Sequence, residues 1–209
     1  MVDIERTGFD TSTRIPASGS GSPSAKSVEL IRACRLSPDD PIIGVGDVDA
    51  HLVAALVGAG HRDLTILHPS VEALEKLREA LGDLARDVTL MEADALEFHP
   101  DRRYALWHDR GYFDRLTHAD DRQRYIETVQ YALRPEGHLV ISASGPEAPE
   151  ERGGMPVVRF SADRLAEALG YQFELAEHGL ALHPAEGGKS RQLLHCRFRR
   201  LAPRWPHGD

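Results

Sequence analysis

The amino-acid sequence predicts an α/β fold: a mostly parallel sheet between two layers of helices, closed by an antiparallel pair of strands. Three observations carry this. Short apolar runs rich in β-branched residues alternate with helical patterns from Ile42 to Ser142, the order that a parallel sheet with crossover helices requires. The first run, Pro41-Ile42-Ile43-Gly44-Val45-Gly46-Asp47-Val48-Asp49, passes through a tight glycine turn into the helical run Ala50 to Ala59. In open α/β sheets such a corner is where ligands sit. The last two runs, Phe173 to Leu182 and Gln192 to Phe198, are joined by a hairpin-like link, Pro184-Ala-Glu-Gly-Gly188.

The chain has 209 residues, enough for one well-buried domain. Its net charge of -8 argues against general affinity for nucleic acid or anionic membrane. No apolar run approaches a membrane span, and Met1 to Phe9 lacks the apolar core of a signal peptide. Cys34 and Cys196 are far apart, without metal-type spacing, and read as reduced thiols of a cytoplasmic protein. No metal site is expected. The eleven histidines are scattered. His195 adjoins Cys196, but neighbours on a strand face opposite ways, and His178 and His183 form the nearest histidine pair in sequence.

In chain order, residues 1–24 lack hydrophobic periodicity and include the linker-like Ser18 to Ser24, so a mobile arm is expected. Ser24 or Ser27 opens a helix with Val28, Ile31 and Cys34 on its apolar face. Ile42, Ile43 and Val45 suit a strand buried on both sides. Gly44 and Gly46 allow a sharp turn and close ligand approach, and Asp49 can cap the following helix, which stops at Gly60. Leu64 to Leu67 is a second strand. Pro69 and Ser70 open a helix with Val71, Leu74, Leu77 and Leu81 on one face, and Glu72 and Lys76 at i,i+4 on the other.

Val88 to Met91 is a third strand, ending at Glu92-Ala-Asp94, and Tyr104 to Trp107 a fourth, ending at His108-Asp109-Arg110. Thr117 and Asp120 resemble a capping box for a helix bearing Tyr125, Ile126, Val129 and Leu133. Arg134 to Gly137 reads as a turn before a fifth strand, His138 to Ser142. Gly145 to Pro156 reads as a loop, and Ser161 caps a short helix with Leu165 and Leu169. The basic end, Arg197, Arg199, Arg200 and Arg204, reads as a solvated strand edge. The domain is expected over residues 25–200, with a tail at 201–209.

Three passages resemble class I S-adenosylmethionine (SAM) methyltransferases over about Ala25 to Arg200. The first is Tyr104-Ala-Leu-Trp-His-Asp-Arg-Gly-Tyr-Phe-Asp114, similar to the WHDR-type fourth-strand signature of a bacterial group. The second is Tyr131-Ala-Leu-Arg-Pro-Glu-Gly-His-Leu-Val-Ile141. The third is Gly154-Met-Pro-Val-Val-Arg-Phe160 with the closing Cys196-Arg-Phe-Arg-Arg200. The resemblance implies a Rossmann-like αβα sandwich with seven strands in the order 3-2-1-4-5-7-6, the last antiparallel.

The same resemblance implies SAM as cofactor, and it marks where this chain departs from the pattern. The acid position of the first strand is Gly44, the first glycine is kept as Gly46, and the next two fall on Asp47 and Val48. Val48 is expected to crowd the ligand side of the loop. The position that bonds both ribose hydroxyls is His68, and an imidazole cannot accept from two hydroxyls as a carboxylate does. The acid that reaches the adenine amino group is present as Asp94, with Ala95 beside it. Either Asp47 or Asp49 can hold the methionine ammonium. His108 and Asp109 are the expected catalytic residues, with Arg110 at the same mouth; Tyr112 and Phe113 follow as a possible acceptor wall. The acceptor is a small molecule or a protein side chain.

Two alternatives stand beside this. A nicotinamide dehydrogenase would use Gly44-Val-Gly46, but its third glycine position is Asp49 and its ribose acid would be His68. A methyltransferase-like protein without catalysis, serving as a binding or partner protein, fits the departures at the corner.

Overall fold

The computed structural model describes residues 24–184 and 190–202. Seven strands form the main sheet: β1 (Ile42–Gly46), β2 (Leu64–His68), β3 (Val88–Glu92), β4 (Tyr104–Arg110), β5 (Leu133–Ser144), β6 (Phe173–Pro184) and β7 (Ser190–Arg200). Their order is β3-β2-β1-β4-β5-β7-β6. The pairs among β1 to β5 are parallel, and β7 runs antiparallel to both β5 and β6. The expected α/β class and strand order are therefore present. Among the described residues five α-helices cover the faces: α1 (Ala25–Ala33), α2 (Ala50–Gly58), α3 (Val71–Leu81), α4 (Ala119–Ala132) and α5 (Ala162–Leu169).

The two faces of the sheet bury separate cores. Leu30, Ile31, Leu52, Val53, Leu74 and Leu77 pack with Ile42, Leu106 and Val140 on the face of α1, α2 and α3. Trp107, Tyr125, Phe113, Phe160, Leu165 and Phe198 pack on the face of α4 and α5. Alternation along β4 divides its side chains between them: Leu106 enters the first core and Trp107 the second. Trp107 donates from Nε1 to the Tyr125 hydroxyl at 2.9 Å, which satisfies its one donor inside the core.

Local chemistry explains most element ends. Asp49, Ser70 and Ser161 each accept a helix N–H, from Leu52, Ala73 and Arg164. Lys76 pairs with Glu72 at 2.8 Å, as the i,i+4 spacing implies.

Several expectations change. In α1 the buried face is Ser27, Leu30, Ile31 and Cys34, rotated from the Val28 stripe. In α3 Val71 is 46% exposed and Ala73 takes its place in the core, because the first residue of a helix overhangs the packing layer. The Thr117 capping box is not formed: the helix starts one residue later, with His118 as an N-cap whose side chain makes no capping bond. The Arg134–Gly137 turn is a bulge inside β5, since Tyr104 pairs with Leu133 and Leu106 with His138. The 145–156 loop contains a two-residue ribbon, Glu151–Arg152 against Met155–Pro156.

The basic end is not a solvated edge. β7 lies inside the sheet, Arg197 and Arg199 pair with Glu177 and Glu136, and Arg200 is buried with its guanidinium on the Leu133 carbonyl. The arm before Ser24, the link residues 185–188 and the tail beyond Ala202, Arg204 included, lie outside the described residues.

Gly46 sits at φ +79°, and a Cβ there would lie 2.4 Å from the Arg110 carbonyl oxygen. Gly60 has φ +94° with open space around it. Gly60→Ala is expected to cost about 1–2 kcal/mol, the ordinary price of a left-handed residue. Gly46→Ala should cost more, about 3 kcal/mol or above, because backbone must also move. Urea midpoints measure both; equal losses would show that the Arg110 carbonyl yields freely.

Candidate functional site

The carboxyl ends of β1, β2 and β4 meet at the glycine corner. The Asp47 N–H donates to the Arg110 carbonyl at 2.8 Å, and the Val48 N–H to the Gly46 carbonyl at 2.7 Å. This turn aims Val48 into the protein. Its methyl sits 3.1 Å from where a Cβ at Gly44 would be, as does Ile66 Cδ1. Val48 also lines a cavity of about 10 Å³ with Gly44, Ile66 and His108. The expectation that Val48 crowds the ligand side is thus corrected: Val48 packs inward, and Gly44 makes room for it.

Both aspartates of the corner are matched by arginines that follow in the chain after Trp107. Arg110 Nη1 donates to Asp49 Oδ2 at 2.5 Å and to Ser24 Oγ at 2.6 Å, while Ser24 Oγ donates to Asp49 Oδ2 at 2.5 Å. Leu52 N–H takes the other oxygen at 2.9 Å. Burial works to raise the Asp49 pKa, but the Arg110 charge and these bonds outweigh it and hold the carboxyl below its usual range. Arg115 lies 3.3 Å from both oxygens of Asp47.

His68 and Asp94 end the neighbouring strands. Ser70 N–H donates to His68 Nδ1 at 3.0 Å, and burial lowers the ring's pKa. The neutral ring therefore carries its proton on Nε2, a tautomer assigned from that bond. Asp94 Oδ1 accepts from Leu96 N–H at 2.9 Å and from the Tyr112 hydroxyl at 2.5 Å; among the described residues no bond engages Oδ2. Ala95 is buried in the core beneath. Tyr112 stacks on Tyr125 with centroids 5.4 Å apart, and Phe113 is fully buried.

His108 and Asp109 are adjacent but point to opposite faces, and both are buried. Asp109 accepts from Tyr112 N–H at 2.9 Å, from Phe113 N–H at 3.1 Å and from the Tyr125 hydroxyl. Burial pushes its pKa up to about 7 against these bonds. His108 projects toward the α1–α2 face. Burial, then the Arg110 charge, push it down to about 3, and neither ring nitrogen has a hydrogen-bond partner among the described residues. One carboxylate thus organises the turn after β4, and one neutral imidazole faces an apolar cavity.

Three features escaped the sequence. Asp114, fully buried, accepts from Ser144 N–H at 2.7 Å, Ser144 Oγ at 2.6 Å and both terminal nitrogens of Arg152 at 3.1 and 3.2 Å. That pair fastens the 151–156 ribbon over the end of β4. Ser142 Oγ lies 2.7 Å from His195 Nδ1, whose Nε2 lies 3.1 Å from His183 Nε2. His183 therefore meets His195 and not its sequence neighbour His178, because β6 and β7 pair antiparallel. Burial, with smaller contributions from His183 and Arg110, pushes His195 down to about 3. The third is Arg191, opposite His183 in the same ladder. Hairpin register was the only signal for the last two, and the link was too long to set it from sequence.

Asp49→Asn keeps an N-cap acceptor but removes the charge that Arg110 meets. At pH 7 the variant should be about 1.5–3 kcal/mol less stable, the worth of charge-assisted bonds. The folded pKa of Asp49 is depressed, so its contribution is present above the unfolded value near 4 and is lost as pH falls through the folded one. Urea unfolding from pH 7 to pH 3 should show the gap between wild type and variant closing below about pH 4. A gap that stays constant would rule out a charge origin.

No family model and no curated protein matches the chain. Solved structures do. N-methyltransferase NodS from Bradyrhizobium japonicum WM9 superposes with a TM-score of 0.66 at 18% identity, over 85% of this chain and 95% of that one. The glycopeptide N-methyltransferase MtfA, solved with (S)-adenosyl-L-homocysteine (SAH), gives 0.63 at 17% over 85% and 90%. The 1,6-didemethyltoxoflavin-N1-methyltransferase of Burkholderia thailandensis, solved with bound 1,6-didemethyltoxoflavin and SAH, gives 0.65 at 17% over 88% and 80%. At these identities the likeness is one of fold: this chain has the Rossmann-like α/β architecture of those methyltransferases, antiparallel terminal strand included.

Proposed function

We propose that this protein is a SAM-dependent methyltransferase acting on a small molecule or a protein side chain. The reading is carried by one alignment. Gly46, His68 and Asp94 stand at or just beyond the carboxyl ends of three adjacent parallel strands, β1, β2 and β3, where a nucleoside can span them.

The residues fit the cofactor. Asp94 keeps Oδ2 for the adenine amino group, with Ala95 beneath. His68, at the end of β2, stands at the ribose position, where a shift of its buried ring would bring Nε2–H to a hydroxyl. Asp49 is held at 2.5–2.9 Å by Arg110, Ser24 and Leu52, whereas Asp47 is held more loosely, at 3.3 Å by Arg115, so of the two corner aspartates Asp47 is the one for the methionine ammonium. Its partner Arg115 supplies the charge that the methionine carboxylate needs. Gly46, unable to carry a side chain, lets the methionine part lie against backbone.

SAM supplies a methyl group on a sulfonium for in-line displacement by the acceptor. The chain's task is then positioning and exclusion of water. Asp109 holds the turn that carries Tyr112 and Phe113, and Asp114 with Arg152 closes the side toward β5. His108 and Asp109 act in this reading as positioning residues: both are buried, and neither side chain reaches the open edge. An acceptor that loses a proton gives it to solvent or to a base of its own complex.

Titrating SAH calorimetrically tests the reading. Wild type should bind, and His68→Asp should bind about ten-fold tighter, roughly 1.4 kcal/mol, because a carboxylate can accept from both ribose hydroxyls while still serving Ser70. Val48→Gly should lower stability by about 1–2 kcal/mol through loss of buried methyls, without improving binding. Binding by His68→Asp alone would favour the non-catalytic relative, and binding by neither would overturn the placement of the pocket.

A further inference from the structure

We infer that the methyl acceptor is anionic, and that Arg191 at the start of β7 holds its carboxylate or phosphate. The word acceptor rests on the methyltransferase reading; the anion site itself does not.

Position comes first. Leu193 pairs with Ser144, the last residue of β5. Arg191 is two residues nearer the strand's beginning, so it projects past β5 at the carboxyl edge of the parallel strands. By alternation it shares a face with His195, and it stands opposite His183 on β6. Arg110 and Ser142 are partners in the β4–β5 ladder, and Ser142 pairs with His195. The arginine therefore borders the part of the edge where the corner and β4 end.

Charge matching comes second. Arg110 has Asp49, Arg115 has Asp47, and Arg152 has Asp114. Among the described residues Arg191 makes no ion pair or hydrogen bond, and its Nε is buried without a partner there. The nearby acids that act on it, Asp47 and Asp114, already serve other arginines, while Arg152 and Arg110 repel it. Burial lowers its pKa foremost. A half-buried guanidinium without a counter-ion is costly, and an entering anion removes that cost.

Chemistry decides the ligand class. A guanidinium presents parallel donors that match a carboxylate or a phosphate. His183 and His195 are both held toward their neutral forms by burial, so the adjacent cluster brings no negative charge to compete with an anion. Arg191 lies within electrostatic reach of Asp47, which puts an anion held there beside the corner where the methyl group would be delivered.

The test uses the whole chain and two probes, acetate and inorganic phosphate, added at constant ionic strength. Backbone amide resonances are followed by NMR. Wild type should show saturable shifts at His183, Leu193 and His195 with at least one anion; the one that binds tells carboxylate from phosphate. Arg191→Gln should abolish them. Arg191→Lys keeps charge without the fork and should need more anion to reach the same shifts, which guards against a folding defect. Absence of saturable shifts in wild type, or their persistence in Arg191→Gln, overturns the site. SAH calorimetry on the same samples separates the two readings. Anion shifts that depend on Arg191 in a protein that ignores SAH leave the site standing and remove the methyltransferase. SAH binding without anion shifts does the reverse.

Discussion

The corner at the end of β1 depends on Arg110. Its carbonyl oxygen occupies the space that a side chain at Gly46 would need and accepts the Asp47 N–H. Its guanidinium bonds Asp49, the residue that caps α2, and Ser24, the residue before α1. One residue thus ties two helices and two central strands together at the carboxyl edge of the parallel strands. Glycine at position 46 and an acid at position 49 are both consequences of where Arg110 comes to lie.

That constraint reorganises the meaning of the corner's unusual residues. Read along the chain, Asp47 and Asp49 put two negative charges at a helix N-terminus, a placement that favours the helix dipole but works against an incoming carboxylate. In the fold, each meets an arginine from the segment after Trp107. Val48, bulky beside the glycine, turns into the space that Gly44 leaves. The corner is a different solution to packing and charge from the glycine-rich pattern it resembles, with its backbone still turned toward the open edge.

A second set of constraints fixes the far side of the edge. Buried Asp114 gathers the end of β5 and the 151–156 ribbon around one carboxylate. Buried Asp109 gathers the turn after β4. Because their oxygens are occupied by backbone and hydroxyl donors, these acids shape the walls. The groups that remain for ligands are those whose atoms are not consumed in this way, such as the second oxygen of Asp94 and the guanidinium of Arg191.

Much of the fold was readable in the sequence, for local reasons. Apolar runs, caps at Asp49, Ser70 and Ser161, and the stop at Gly60 follow from backbone chemistry within a few residues, so the alternating elements and the glycine corner could be placed from the chain alone. The candidate site was readable only as positions at strand ends. What those side chains do depends on partners far away in sequence: Arg110 on Asp49, Arg115 on Asp47, Tyr112 on Asp94 and His183 on His195. The sequence by itself determined which segments are strands, which are helices and where the glycine corner lies, because hydrophobic period and turn chemistry are local. Only the tertiary structure decided which charges are spent on one another and which stay available, because strand register and the burial that goes with it are set by the whole sheet.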